Sequence, residues 1–69
     1  MTPEHIKKTF GDTMKKRRIE RGLSQEELAL TASLDRTYIS SVERGKRNIS
    51  LVNIYKISTA LNIDVKDLF

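Results

Sequence analysis

The sequence predicts an all-α chain. Apolar residues recur at spacings of three and four, and no stretch shows the period-two alternation of a strand. Each apolar run is opened by a capping residue and closed by glycine, asparagine or a short polar break. At 69 residues the expected organisation is a single domain over residues 1–69. A chain this small buries only about 60% of the surface its unfolded form exposes, so its stability rests on close helix packing. It has no cysteine and one histidine, His5, which excludes disulfides and leaves too few ligands for a structural zinc. No metal or cofactor is expected. No apolar run approaches the roughly 20 residues that span a bilayer, and the polar start carries no signal-peptide pattern. The expected location is the cytoplasm.

The elements follow in order. Thr2 is placed to cap a first helix, with Pro3 at its first position. Ile6, Phe10 and Met14 give that helix an apolar stripe, and Gly22 ends it. Ser24 and Glu27 have the spacing of a capping box and open a second helix, which turns Leu28 and Ala29 inward. Ser33, Leu34 and Asp35 interrupt it. Asp35 caps a third helix, from about Arg36 to Arg44, with Ile39 and Val42 on its buried side. Gly45 ends that helix, and Lys46, Arg47 and Asn48 form a basic loop. Ser50 caps a fourth helix with Leu51, Ile54, Ile57, Ser58 and Leu61 along one side, and Asn62 stops it. Asp64 opens a short fifth helical turn that ends at Leu68-Phe69.

The net charge is +4, which suggests an anionic partner, nucleic acid being the commonest. One basic cluster is Lys15, Lys16, Arg17, Arg18 and Arg21; another is Arg36, Arg44, Lys46 and Arg47. Charge alone fits a pair of solvated faces equally well. The third helix separates the two readings. On a wheel at about 100° per residue with Ile39 at zero, Ser40, Thr37, Ser41 and Arg44 fall between about 100° and 200°, opposite Val42. The outward face thus carries small hydroxyls with arginine at its end, and Arg36 stands in the first turn. Such a face suits the roughly 12 Å major groove of DNA, where arginine reads guanine O6 and N7.

Two neighbours strengthen this reading over an ordinary amphipathic helix. Two short capped helices separated by three residues have helix-turn-helix geometry. Gln25 stands at the start of the second helix, where free backbone N–H groups attract phosphate. Glu43 falls near the buried side of the wheel, so it needs a partner, and Arg18 on the first helix is the best candidate.

The runs Arg18–Ala29, Leu34–Ser40 and Val42–Asn48 together resemble the lambda-repressor and Cro-like helix-turn-helix family, also called the xenobiotic-response-element type. The resemblance extends from about Phe10 to Phe69. Within the family, the stretch Leu34–Ser40 followed by Arg47-Asn48 is most similar to the controller proteins of restriction–modification systems. The resemblance implies a five-helix fold whose reading unit spans about residues 24–44, and a homodimer on a palindromic double-stranded DNA operator. It implies base-reading positions at Arg36, Thr37 and Ser41. It puts phosphate or flanking contacts at Gln25, Tyr38, Ser40, Arg44, Arg47 and Asn48. Arg18 and Glu43 stand where the family has an interhelix ion pair.

The family's dimer contacts commonly come from the last helices, which here offer Val52, Tyr55, Ile63, Val65 and Phe69. Two positions depart from the pattern. Ser33 replaces a turn glycine, and Arg17 stands at an often apolar position, where its stem would cover the core and its charge point outward.

Regulation would follow from occupancy, by blocking RNA polymerase or recruiting it, with no small-molecule ligand. An antitoxin or phage-type repressor shares the same pattern. A helical protein-interaction module would not need Gln25, Arg36, Thr37 and Arg47-Asn48 together. An enzyme is disfavoured, because His5 has no nucleophile partner and no glycine loop could cradle phosphate. RNA binding is disfavoured because Phe10, Tyr38, Tyr55 and Phe69 are not expected to cluster.

Overall fold

A computed structural model describes Met1–Phe69. It contains α1 (Pro3–Glu20), α2 (Gln25–Ala32), α3 (Arg36–Glu43) and α4 (Leu51–Leu61). The expected fifth helix is a single 3-10 turn, Val65–Leu68, too short for α-helical bonding. No helix is long and apolar enough to cross a membrane.

Side-chain oxygens start three of the four α-helices. Thr2 Oγ1 accepts from the His5 N–H at 3.1 Å and Ser50 Oγ from the Asn53 N–H at 3.2 Å. Ser24 and Glu27 complete a reciprocal box: Ser24 Oγ accepts from the Glu27 N–H at 3.0 Å, and the Ser24 N–H donates to Glu27 Oε1 at 2.8 Å. Hydrogen bonding from Ser24 to the Glu27 carboxyl, first from its backbone N–H and then from its side chain, holds that carboxyl below its ordinary value of 4.5. Asp35 departs from expectation. It occupies the cap position of α3, but its side chain makes no capping bond and is exposed.

All four α-helices end the same way. A residue with positive φ follows each, at Gly22 (71°), Ser33 (58°), Gly45 (73°) and Asn62 (56°). The next N–H then reaches back five residues: Leu23 to Arg18, Leu34 to Ala29, Lys46 to Ser41 and Ile63 to Ser58, at 2.8–3.2 Å. This is the Schellman closure, which often tucks the residue after the turn against the helix it ends. Leu23, Leu34 and Ile63 do so, packing on the core. The fourth, Lys46, is exposed and charged.

The core is one cluster drawn from every element: Phe10 and Met14, Leu28 and Ala29, Ile39 and Val42, Ile57 and Leu61, and Leu68. Two expected core residues lie outside it. Ile6 is 51% exposed and Leu51 is 69% exposed. Both sit near the starts of their helices, where they stand clear of the packed cluster. Ile63, expected at a dimer contact, packs against the core instead. Arg17 carries its charge to the surface, where its Nη1 pairs with Glu20 Oε1 at 3.1 Å. Its Nε donates to the Asp67 carbonyl at 2.9 Å and pins the C-terminal turn to α1. Phe10 and Phe69, expected apart, have ring centroids 5.2 Å apart. Phe10 is buried, so this pair offers no base-stacking platform.

Gly11 explains how α1 and α3 approach so closely. A β-carbon there would clash with the Val42 carbonyl oxygen and lie 2.8 Å from that of Glu43. The glycine lets the end of α3 lie directly on α1.

Candidate nucleic-acid interface

Three helices meet at one carboxylate. Arg18 of α1 forms a two-pronged pair with Glu43 of α3, Nε to Oε2 at 2.7 Å and Nη2 to Oε1 at 3.0 Å. Glu43 is only 4% exposed. Arg18 Nη1 also donates to the Leu23 carbonyl at 2.7 Å, satisfying the chain as it leaves α1. Gln25 Nε2 at the start of α2 donates to Glu43 Oε1 at 3.1 Å. Planar arginine matches carboxylate geometry better than lysine could. The network fixes the end of α3 against α1 and the beginning of α2, and leaves no buried side-chain polar atom without a partner.

With Ile39, Val42 and Glu43 buried, α3 turns its other side to solvent. Arg36, Thr37 and Arg44 are exposed and Ser40 is half-buried. Ser40 Oγ accepts a hydrogen bond from Arg44 Nη1. Ser41 corrects the wheel. It is 9% exposed and is not part of the outward face. Its hydroxyl donates to the Tyr38 carbonyl at 2.8 Å and accepts from Arg47 Nε at 3.4 Å. The Arg47 guanidinium carbon lies 5.0 Å from the centre of the half-buried Tyr38 ring. Arg47 of the loop behind α3 thus reaches back to both Tyr38 and Ser41, and Asn48 follows it in the same loop, exposed.

A helix-turn-helix family model matches residues 14–68, most of the chain. The chain belongs to the helix-turn-helix family. It is 55% identical to the control protein C.MunI of a Mycoplasma species, over 93% of this chain and 88% of that protein. It is 49% identical to the control protein C.BamHI of Bacillus amyloliquefaciens, over 93% and 80%. The fold is similar to the crystal structure of the restriction-modification controller protein C.AhdI from Aeromonas hydrophila. There the TM-score is 0.93 and the identity 49%, covering 94% of this chain and 98% of that one. Within the matched residues 14–68, α2 and α3 are joined by the three residues Ser33–Asp35.

This helix-turn-helix protein also carries an unpartnered apolar surface away from the outward face of α3. Val52 and Tyr55 of α4 are exposed, whereas Phe69, though exposed, packs against the Phe10 ring instead. Sequence reasoning missed one member, Leu51, and also missed that Leu30 of α2 is 81% exposed. A groove of about 610 Å³ runs between the end of α2 and α4, lined by Ala32, Leu51, Val52, Tyr55 and Ala60 among others. The exposure of Leu30 was readable: it lies next to two residues on the buried side of α2, so it must point away from the core.

Proposed function

We propose that this protein is a transcription regulator that binds a specific double-stranded DNA operator as a homodimer and serves a restriction–modification system as its controller. One observation carries the reading. The outward face of α3 is Arg36, Thr37, Ser40 and Arg44, without an acidic or bulky apolar side chain, on a helix locked from behind by the core and by Glu43. Small hydroxyls let such a helix sit deep in the major groove. Arg36 reads a guanine through two hydrogen bonds, and Thr37 meets a base edge or a thymine methyl. Ser41 is withdrawn from this role.

Backbone contacts come from around the helix. Ser40, Arg44, Arg47, Asn48 and Tyr38 flank the groove. Gln25 gives one amide hydrogen to Glu43 and keeps the second for a phosphate beside the start of α2. The apolar surface on α4 meets its copy, so that two reading helices stand about 34 Å apart, one turn of DNA. The bound dimer acts by occupancy, blocking RNA polymerase or recruiting it, in the cytoplasm.

Selection from a pool of randomised duplexes tests this. The protein should recover a two-fold symmetric site and protect it from cleavage in a footprint. Recovery of no common sequence, with weak binding to every duplex, would make it an interaction module instead.

A further inference from the structure

Two glycines seat the C-terminal end of α3 on the backbone of α1. A β-carbon at Gly11 would clash with the Val42 carbonyl oxygen and lie 2.8 Å from that of Glu43. A β-carbon at Gly45 would lie 2.8 Å from Lys8 Cα and 3.1 Å from the Lys8 backbone nitrogen. Lys8 and Gly11 are neighbours one turn apart on α1, so the two contacts stand side by side. In both, backbone is among the atoms met, and backbone cannot swing aside to make room. Glycine inside the 18-residue α1 is otherwise a poor helix former, so its presence at Gly11 answers to the contact. Gly22 differs. Its φ of 71° is close to the 73° of Gly45, but nothing lies within 4 Å of its β-carbon position. Gly22 serves a turn alone, whereas Gly45 serves a turn and a contact.

We infer that Gly11 and Gly45 are positioning residues that set the angle at which α3 enters the major groove. The inference rests on the reading of α3 as the DNA-facing helix. The exposed Arg36 and Thr37 lie about two turns from this seat, roughly 10 Å along the axis. Asp35 makes no capping bond beside them. Lifting the end of α3 from α1 therefore tilts the helix and carries both side chains with it. Base reading needs its groups held to about 0.5 Å and 10–20°, whereas attraction to phosphates follows charge. A methyl group on either glycine changes no charge and meets no base. It lowers the preference for one sequence over another and leaves most of the affinity for any duplex. A lifted α3 also stretches the buried Arg18–Glu43 pair, so stability falls too and does not by itself report the role.

Gly11→Ala, Gly45→Ala and Gly22→Ala test the inference, each at a temperature where circular dichroism shows the helix content of the parent. Binding is measured on a duplex that the parent selects from a randomised pool and on a scrambled duplex of the same composition. Gly11→Ala and Gly45→Ala should each narrow the preference for the selected duplex by about tenfold or more, within what one arginine–guanine pair supplies. Binding to the scrambled duplex, and its salt dependence, should stay close to the parent's. Gly22→Ala should lose stability through its strained backbone and keep the parent's preference. An unchanged preference in Gly11→Ala, or an equal loss in Gly22→Ala, would overturn the inference. So would loss of helix content in both Gly11→Ala and Gly45→Ala at every temperature, which would make the two glycines requirements of folding alone. A parent that selects no common sequence sinks the regulator reading and this inference with it. A parent that selects, with Gly11→Ala and Gly45→Ala selecting equally well, sinks only this one.

Discussion

Glu43 brings a charge to a depth where an unpaired carboxylate would not be tolerated, and Arg18 is the reason it stays. Breaking such a pair from one side costs about 3–5 kcal/mol. A 69-residue chain has a total stability on the order of 3–10 kcal/mol. One residue therefore decides whether much of the population folds. Arg18→Met should lower the melting temperature sharply by circular dichroism, and Arg18→Met with Glu43→Leu should recover most of the loss. An unchanged melting temperature in the single variant would mean the pair contributes nothing. At this scale the sequence was partly legible. The wheel put Glu43 near the buried side because it stands four residues after Ile39, about 40° away from it. It misplaced Ser41, whose hydroxyl meets Arg47 of the following loop, a residue that no single-helix wheel contains. Gly11 was silent for a similar reason: its role appears only when α3 is known to cross α1 there.

At the scale of elements, boundaries are local chemistry and so were readable. Thr2, Ser24 and Ser50 cap, and Gly22, Gly45 and Asn62 close, through bonds within a few residues of themselves. Ser33 is the strained member. It holds φ at 58° with a β-carbon, at a cost of roughly 1–2 kcal/mol. Glycine relieves that strain but gives back part through its freer unfolded chain. Ser33→Gly should thus stabilise by about 1 kcal/mol, raising the melting temperature by about 4–8 °C for a chain of this size. A lower melting temperature would show that the Ser33 side chain contributes more than its backbone costs. Asp35 shows the limit of local reading. Its residue type and position fit a cap, yet its carboxylate is unused.

For the molecule as a whole, the all-α class was legible from periodicity, whereas the apolar surface was only half seen. Leu51 looked like a core residue because it continues the α4 stripe, but at 69% exposure it belongs with Val52 and Tyr55 outside. A small chain rarely exposes that many large apolar side chains together on one helix without a partner. On the homodimer account, Leu51→Asp should shift the protein from dimer to monomer in sedimentation equilibrium without changing its helix content. A parent that is monomeric at micromolar concentration would contradict the account. The basic charge at the ends of α3 and in its loop sets affinity and its salt dependence, while the face between sets sequence choice.

The base preferences of the parent and of Arg36→Ala, measured over the same selected duplexes, test the central claim most directly. The account predicts that Arg36→Ala weakens binding by about 1–3 kcal/mol and loses preference at one base pair in each half-site, leaving the others intact. Equal weakening on every duplex, with the preferences unchanged, would contradict it and make Arg36 a phosphate contact.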